Sequence, residues 1–211
     1  MKKIIFLAAF AVLPAAIFAA ETNSTPGQIE AKYTVAIEGR TADILKVLDL
    51  SDTNKVKNVH DAIIAQYRAL NFWHNENDAK LKAAKSDTNT VAQIRASLKT
   101  LHDDFLSKLA ENLSPEQIEQ VKDKMTYGKV QFTFNGYVSE YPNLSDENKN
   151  EILRLLKEAR EEAMDGGSAA EKTAVFQRYK GKINNYLSRQ GVHPEKQKAG
   201  AMSATNSASE K

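Results

Sequence analysis

Apolar positions recur every three or four residues along most of the chain, the period at which side chains return to one face of an α-helix. Between about 28 and 50 the repeat runs through Tyr33, Ile37, Ile44, Leu45 and Leu48. A longer run, from about 51 to 85, places Val56, Val59, Ile63, Tyr67, Leu70 and Leu81 on a second stripe, with a bend expected near 75–77. Val91, Ile94, Leu98, Leu101, Phe105 and Leu109 follow in a near-heptad, and the short SDTNT before them predicts antiparallel packing on the preceding helix. Ser114, Pro115 and Gln117 form a capping box with proline in the first turn, so a shorter helix starts there and ends near Tyr127 and Gly128.

KVQFT at 129–133 alternates as a strand would, but Phe134, Tyr137, Val138 and Tyr141 return to helical spacing before Pro142. A short irregular crossing is expected there instead of a sheet. From Ser145 a further helix carries Ile152, Leu156, Ala159 and Ala163 on its apolar face, with Arg160 beside Leu153 and Leu156. Gly166 and Gly167 end that helix where a backbone of positive φ is cheapest to place. Ser168 with Glu171 three residues on caps the next one, whose stripe is Val175, Tyr179, Ile183 and Tyr186, edged by Arg178, Lys182 and Asn185. The expectation is an all-α, single-domain bundle of about six helices over 28–192, closed by a helical hairpin at 145–191.

LSDTNK at 50–55, LSDENK at 144–149 and the looser LSPEQI at 113–118 resemble one another. They read either as a duplicated unit or as independent helix starts, since Leu, Ser and an amide three residues later suit any staple-and-cap N-terminus. The start of the chain, Met1, Lys2 and Lys3 followed by an apolar run to Ala20, has the form of a secretory signal peptide, followed by a linker at 21–27. Residues 193–211, rich in Ala and Ser and without periodicity, are expected to be a disordered polar tail. These features predict an exported protein, periplasmic or at the cell surface of a Gram-negative bacterium, with no transmembrane anchor once the signal is removed.

The chain has no Cys, which excludes a disulfide framework, a thiolate metal site and lipid attachment through Cys. Without Lys2 and Lys3 the basic count falls to 27, equal to the 27 acidic residues, a balance that argues against a nucleic-acid partner. No cofactor motif is present in the sequence.

Candidate chemistry concentrates on two helices. His60, Tyr67 and His74 are seven residues apart on the apolar side of the second helix, with Asn71 and Asp78 close by. The two histidines would stand about 21 Å apart along the axis, too far to share an ion, although one His with outside carboxylates stays open. An Arg on a buried stripe needs a partner, so Arg160 either pairs with Asp78 or Asp165 or awaits an anionic ligand.

The chain resembles the exported domain-of-unknown-function family 3826 (DUF3826) of Bacteroides-type bacteria. The resemblance covers about 33–191 and rests on YRALNFWH at 67–74, LSPEQIEQVKDKMTYG at 113–128, EAREEAMDGGS at 158–168 and YKGKINNYLSRQG at 179–191. It implies a carbohydrate connection, because family members are often encoded beside polysaccharide-degrading systems. LSPEQ at 113–117 is also similar, more weakly, to the LTxxQ periplasmic proteins of the Spy type, which implies a holdase chaperone.

A sugar pocket requires aromatic surface with amides and charges around it. Tyr67, Asn71, Trp73, His74, Arg160, Asp165, Arg178, Tyr179, Lys182 and Asn185 supply those types and are the expected ligand-binding set, provided the second and last helices pack together. The function read from this is a carbohydrate-associated accessory or binding protein whose partner is an oligo- or polysaccharide. The alternatives are an enzyme on acidic glycans or an LTxxQ-like holdase. As a lyase it would use His74 or Tyr67 as base and Arg160 or Lys182 to neutralise a uronate; as a hydrolase it would use Glu161 with Asp165.

Overall fold

A computed structural model describes residues 25–194. The expected signal peptide, most of the linker and most of the polar tail lie outside the described residues. Among the described residues seven α-helices follow one another: α1 Pro26–Leu48, α2 Thr53–Ala83, α3 Thr88–Ala110, α4 Pro115–Met125, α5 Lys129–Glu140, α6 Asp146–Met164 and α7 Ala169–Arg189. The described residues contain no strand, and the all-α expectation holds. The chain divides into two compact units, 1–37 and 38–211. The described part of the first is the N-terminal half of α1, which opens with Pro26 in its first turn and a reciprocal side-chain bond pair between Thr25 and Gln28.

The seventh helix is α5, where an irregular crossing was expected. Gly128, with φ 63°, reverses the chain after α4, and from Lys129 onward Val130, Thr133 and Tyr137 recur at helical spacing on the buried side. The alternation of KVQFT does not mark a face, because Val130 is buried while Phe132 two residues on is exposed.

In the second unit α2 packs on α3, α6 packs on α7, α5 lies against α6, and α4 touches both α3 and α6. The main core joins α5, α6 and α7 through Tyr137, Ile152, Leu156, Phe176, Ile183 and Leu187. Ala159 and Ala163 are wholly buried on α6, and their small side chains let its neighbours approach. The α7 stripe lies about one residue round from the expected one. Phe176 and Leu187 are buried, while Val175 and Tyr186 pack at the rim. The antiparallel α2–α3 pair is as expected, and the indole N–H of the buried Trp73 donates to the Ser97 hydroxyl across it at 2.8 Å.

The three LS segments do not begin helices identically. Ser114 and Ser145 are N-caps that accept from the N–H three residues on, Gln117 and Asn148. At 50–55 the cap is Asp52, whose carboxylate accepts from Asn54 and Lys55, so α2 starts one residue later than Ser51 would dictate. Among the described residues no helix is long and apolar enough to cross a membrane.

Candidate functional site

The C-terminal half of α6 carries a row of charges that α2, α3 and α4 meet. Arg160, 3% exposed, donates to Asp123 at 2.7 Å, to Glu119 at 2.6 Å and to Glu161 at 3.2 Å. Its partners are therefore on α4 and α6, not Asp78 or Asp165. Placing Arg160 one step off the Leu156–Ala163 stripe turns it toward α4, a helix the spacing argument left out of account. Its Nε is buried without a partner. Burial disfavours the guanidinium charge, but Asp123 and Glu119 outweigh it and hold the group protonated.

Glu161 continues the row. Burial raises its pKa, yet the facing His102 imidazole, the bonded Lys122 ammonium and the field of Arg160 bring the carboxyl down to about 2. His102 Nδ1 lies 3.0 Å from the Asp165 carboxylate and its Nε2 3.6 Å from Glu161. The two carboxylates, Asp165 first, raise this imidazole to about 9, so it is a cation at neutral pH. His74 bonds the backbone carbonyl of Asp165 through Nε2 at 2.7 Å and the Asp78 carboxylate through Nδ1 at 2.9 Å. Burial opposes its charge, but these two acceptors raise its pKa.

On the other side of Asp123 lies a groove of about 630 Å³. Ile44, Val47, Tyr67 and Tyr127 form its apolar walls, and Arg40, Asp43, Gln120, Asp123 and Lys124 place charges and an amide around them. The Arg40 guanidinium stands 5.9 Å from the centre of the Tyr67 ring, and Tyr127 is 48% exposed.

Tyr127 is held in the left-handed region at φ 61°. It occupies the position after the α4 cap. Its N–H bonds the Lys124 carbonyl and the Gly128 N–H bonds the Asp123 carbonyl, the double closure of a Schellman motif. The end of α7 closes the same way, Gly191 N–H to Ser188 and Val192 N–H to Leu187, but there the left-handed residue is glycine, at φ 69°. Both ends thus make the same turn, and one makes it with a tyrosine at a cost of about 1 kcal/mol.

The expected ligand set is dispersed. Tyr67 lines the groove, and Arg160 reaches it through Asp123. Trp73 belongs to the α2–α3 contact, and Asn71 is exposed. His74 and Asp165 meet where α2 touches the end of α6. Arg178 pairs with Glu162, and the Lys182 ammonium sits 3.8 Å above the buried Tyr179 ring, with exposed Asn185 beyond them on α7. The condition for convergence, α2 packed along α7, is not met, since α6 is the partner of α7. Sequence reasoning overlooked Tyr127, His102 and the α4 acids. The one available signal for Tyr127 was that glycine follows it, where the end of α4 needs a left-handed residue one position earlier.

Fold and site together define an all-α protein with an aromatic-walled groove backed by a buried ion-pair row. The chain belongs to the DUF3826 family, described as proteins of unknown function, whose model matches residues 34–203. No curated protein matches it.

Proposed function

We propose that the protein is an exported saccharide-binding accessory protein and that the groove beside Tyr127 holds a sugar unit. The observation that carries this reading is the strained Tyr127. A non-glycine residue kept at positive φ, with its ring half exposed at a groove rim, is more easily explained by what the ring does there than by the turn it makes. An exposed aromatic face suits the apolar face of a pyranose, and Gln120, Asp123, Asp43, Arg40 and Lys124 offer donors and acceptors to its hydroxyls. Arg160 then acts as a positioning residue that fixes Asp123 at the groove wall.

Binding without cleavage is favoured over a histidine-based lyase because a histidine that abstracts a proton must have an unprotonated nitrogen free to reach the substrate. His102 is a cation held by two carboxylates, and both nitrogens of His74 are bonded. Glu161 and Asp165, the expected hydrolytic pair, face the same imidazole instead of a cavity.

Titration calorimetry of the mature chain against neutral and acidic oligosaccharides tests the proposal. At least one glycan is expected to bind, Tyr127→Ala to weaken it roughly tenfold or more, and the glycan to be recovered without new reducing or unsaturated ends. Absence of binding across the panel, or equal binding by Tyr127→Ala, overturns the groove assignment.

A further inference from the structure

We infer that His74, Asp78 and Glu171 form a binding site for a divalent transition-metal ion, clasping α2 to the start of α7, independent of the groove. The His74 Nδ1 atom lies 2.9 Å from Asp78 and 3.7 Å from Glu171, and one ligand atom from each residue falls within 4.8 Å of the others. An ion about 2.1 Å from nitrogen and oxygen ligands spaces adjacent ligand atoms by about 3.0 to 3.4 Å, so the triad brackets the required separations. His74 and Asp78 are i and i+4 on one helix face, and Glu171 arrives from the first turn of α7.

Two features outside the triad point the same way. The His74 Nε2–H donates to the Asp165 carbonyl at 2.7 Å, which in the neutral ring leaves the Nδ1 lone pair directed at the two carboxylates. Metal-ligating imidazoles are oriented by such a bond on the far nitrogen. The triad is also short of positive charge. Among the described residues no lysine or arginine forms an ion pair with Asp78 or Glu171, and even a protonated His74 leaves a net negative site. Lys172, nearest in sequence, spends its ammonium on the Met125 and Met164 carbonyls at 3.1 and 3.2 Å.

The rest of the site is already arranged. Gly167 N–H holds the Glu171 carboxylate at 2.9 Å, and Gly167 itself touches the imidazole so closely that a Cβ there would stand 2.7 Å from it. The two carboxylates are about half exposed, so water completes the coordination shell. One nitrogen and two carboxylate oxygens suit zinc, cobalt, nickel or manganese better than calcium.

The test is titration of the chelator-treated mature protein with Zn²⁺ and Co²⁺ by calorimetry and by visible absorption of bound Co²⁺. One equivalent is expected to bind, and Asp78→Asn and Glu171→Gln, substitutions at half-exposed positions, are each expected to weaken it at least tenfold. His193→Ala is expected to leave it unchanged. Absence of stoichiometric binding, or binding that both carboxamide variants retain, overturns the site.

Discussion

Gly167 is required by its neighbour and not by its backbone. Among the described residues positive φ occurs at Asp49, Tyr127, Gly128 and Gly191, so the Gly166–Gly167 pair turns the chain without it. What excludes a side chain at 167 is the His74 ring, and Gly167→Ala is expected to lower stability by roughly 1–3 kcal/mol in urea unfolding. His74→Ala in the same background should abolish that penalty, because it removes the clash. His102 gives the fold a pH signature. Its folded pKa of about 9 exceeds the free value of 6.5, so the stability it supplies is complete below pH 6.5 and drains away as pH rises toward 9. Lys172 acts in the opposite sense. Burial first, then the field of Arg40, lowers it from 10.5 to about 8, and stability rises with pH across that interval because the unfolded chain holds the proton longer. The unfolding free energy is therefore expected to fall by on the order of 1–2 kcal/mol between pH 6.5 and 8 and then flatten. An unchanged slope in His102→Gln would sink the assignment to His102.

At the scale of the element, the two Schellman ends form a controlled comparison. Gly191 closes α7 without strain, whereas Tyr127 closes α4 with it. Tyr127→Gly is expected to stabilise the protein by about 1 kcal/mol while weakening any groove ligand, a trade visible as a higher denaturation midpoint alongside a poorer binding isotherm. The opposite pairing, with both properties lost, would mean that the ring supports the fold. Arg160 belongs to the α4–α6 contact. Arg160→Met is expected to cost roughly 1–3 kcal/mol, less than a fully buried pair, because Asp123 and Glu119 are nearly half exposed and regain water. Element by element, period and caps made six helices readable. The seventh was hidden because Gly128 followed by KVQFT has a strand's alternation, and only the burial of Val130, Thr133 and Tyr137 shows which period governs.

For the molecule as a whole, the helical class and the α2–α3 and α6–α7 pairings could be read from local spacing, which is what sets them. The site could not, because it depends on which helices neighbour one another. The expected ligand set required α2 to pack along α7 as well, whereas α7 pairs with α6, as the closing hairpin predicted, and α4 is wedged against α6. Arg160 therefore found Asp123 and Glu119 some forty residues back in the chain, and the ten expected ligand residues fell into separate neighbourhoods. One residue among them acquires a different use. Trp73 is the sole tryptophan, and its ring meets His74 edge-on at 5.0 Å. A protonated imidazole at that range quenches indole emission, and a paramagnetic ion on Nδ1 quenches it further. The intrinsic fluorescence of the unlabelled protein is thus expected to report a single locus, brightening as His74 loses its proton and, with the proposed ion site filled, dimming as Co²⁺ is added.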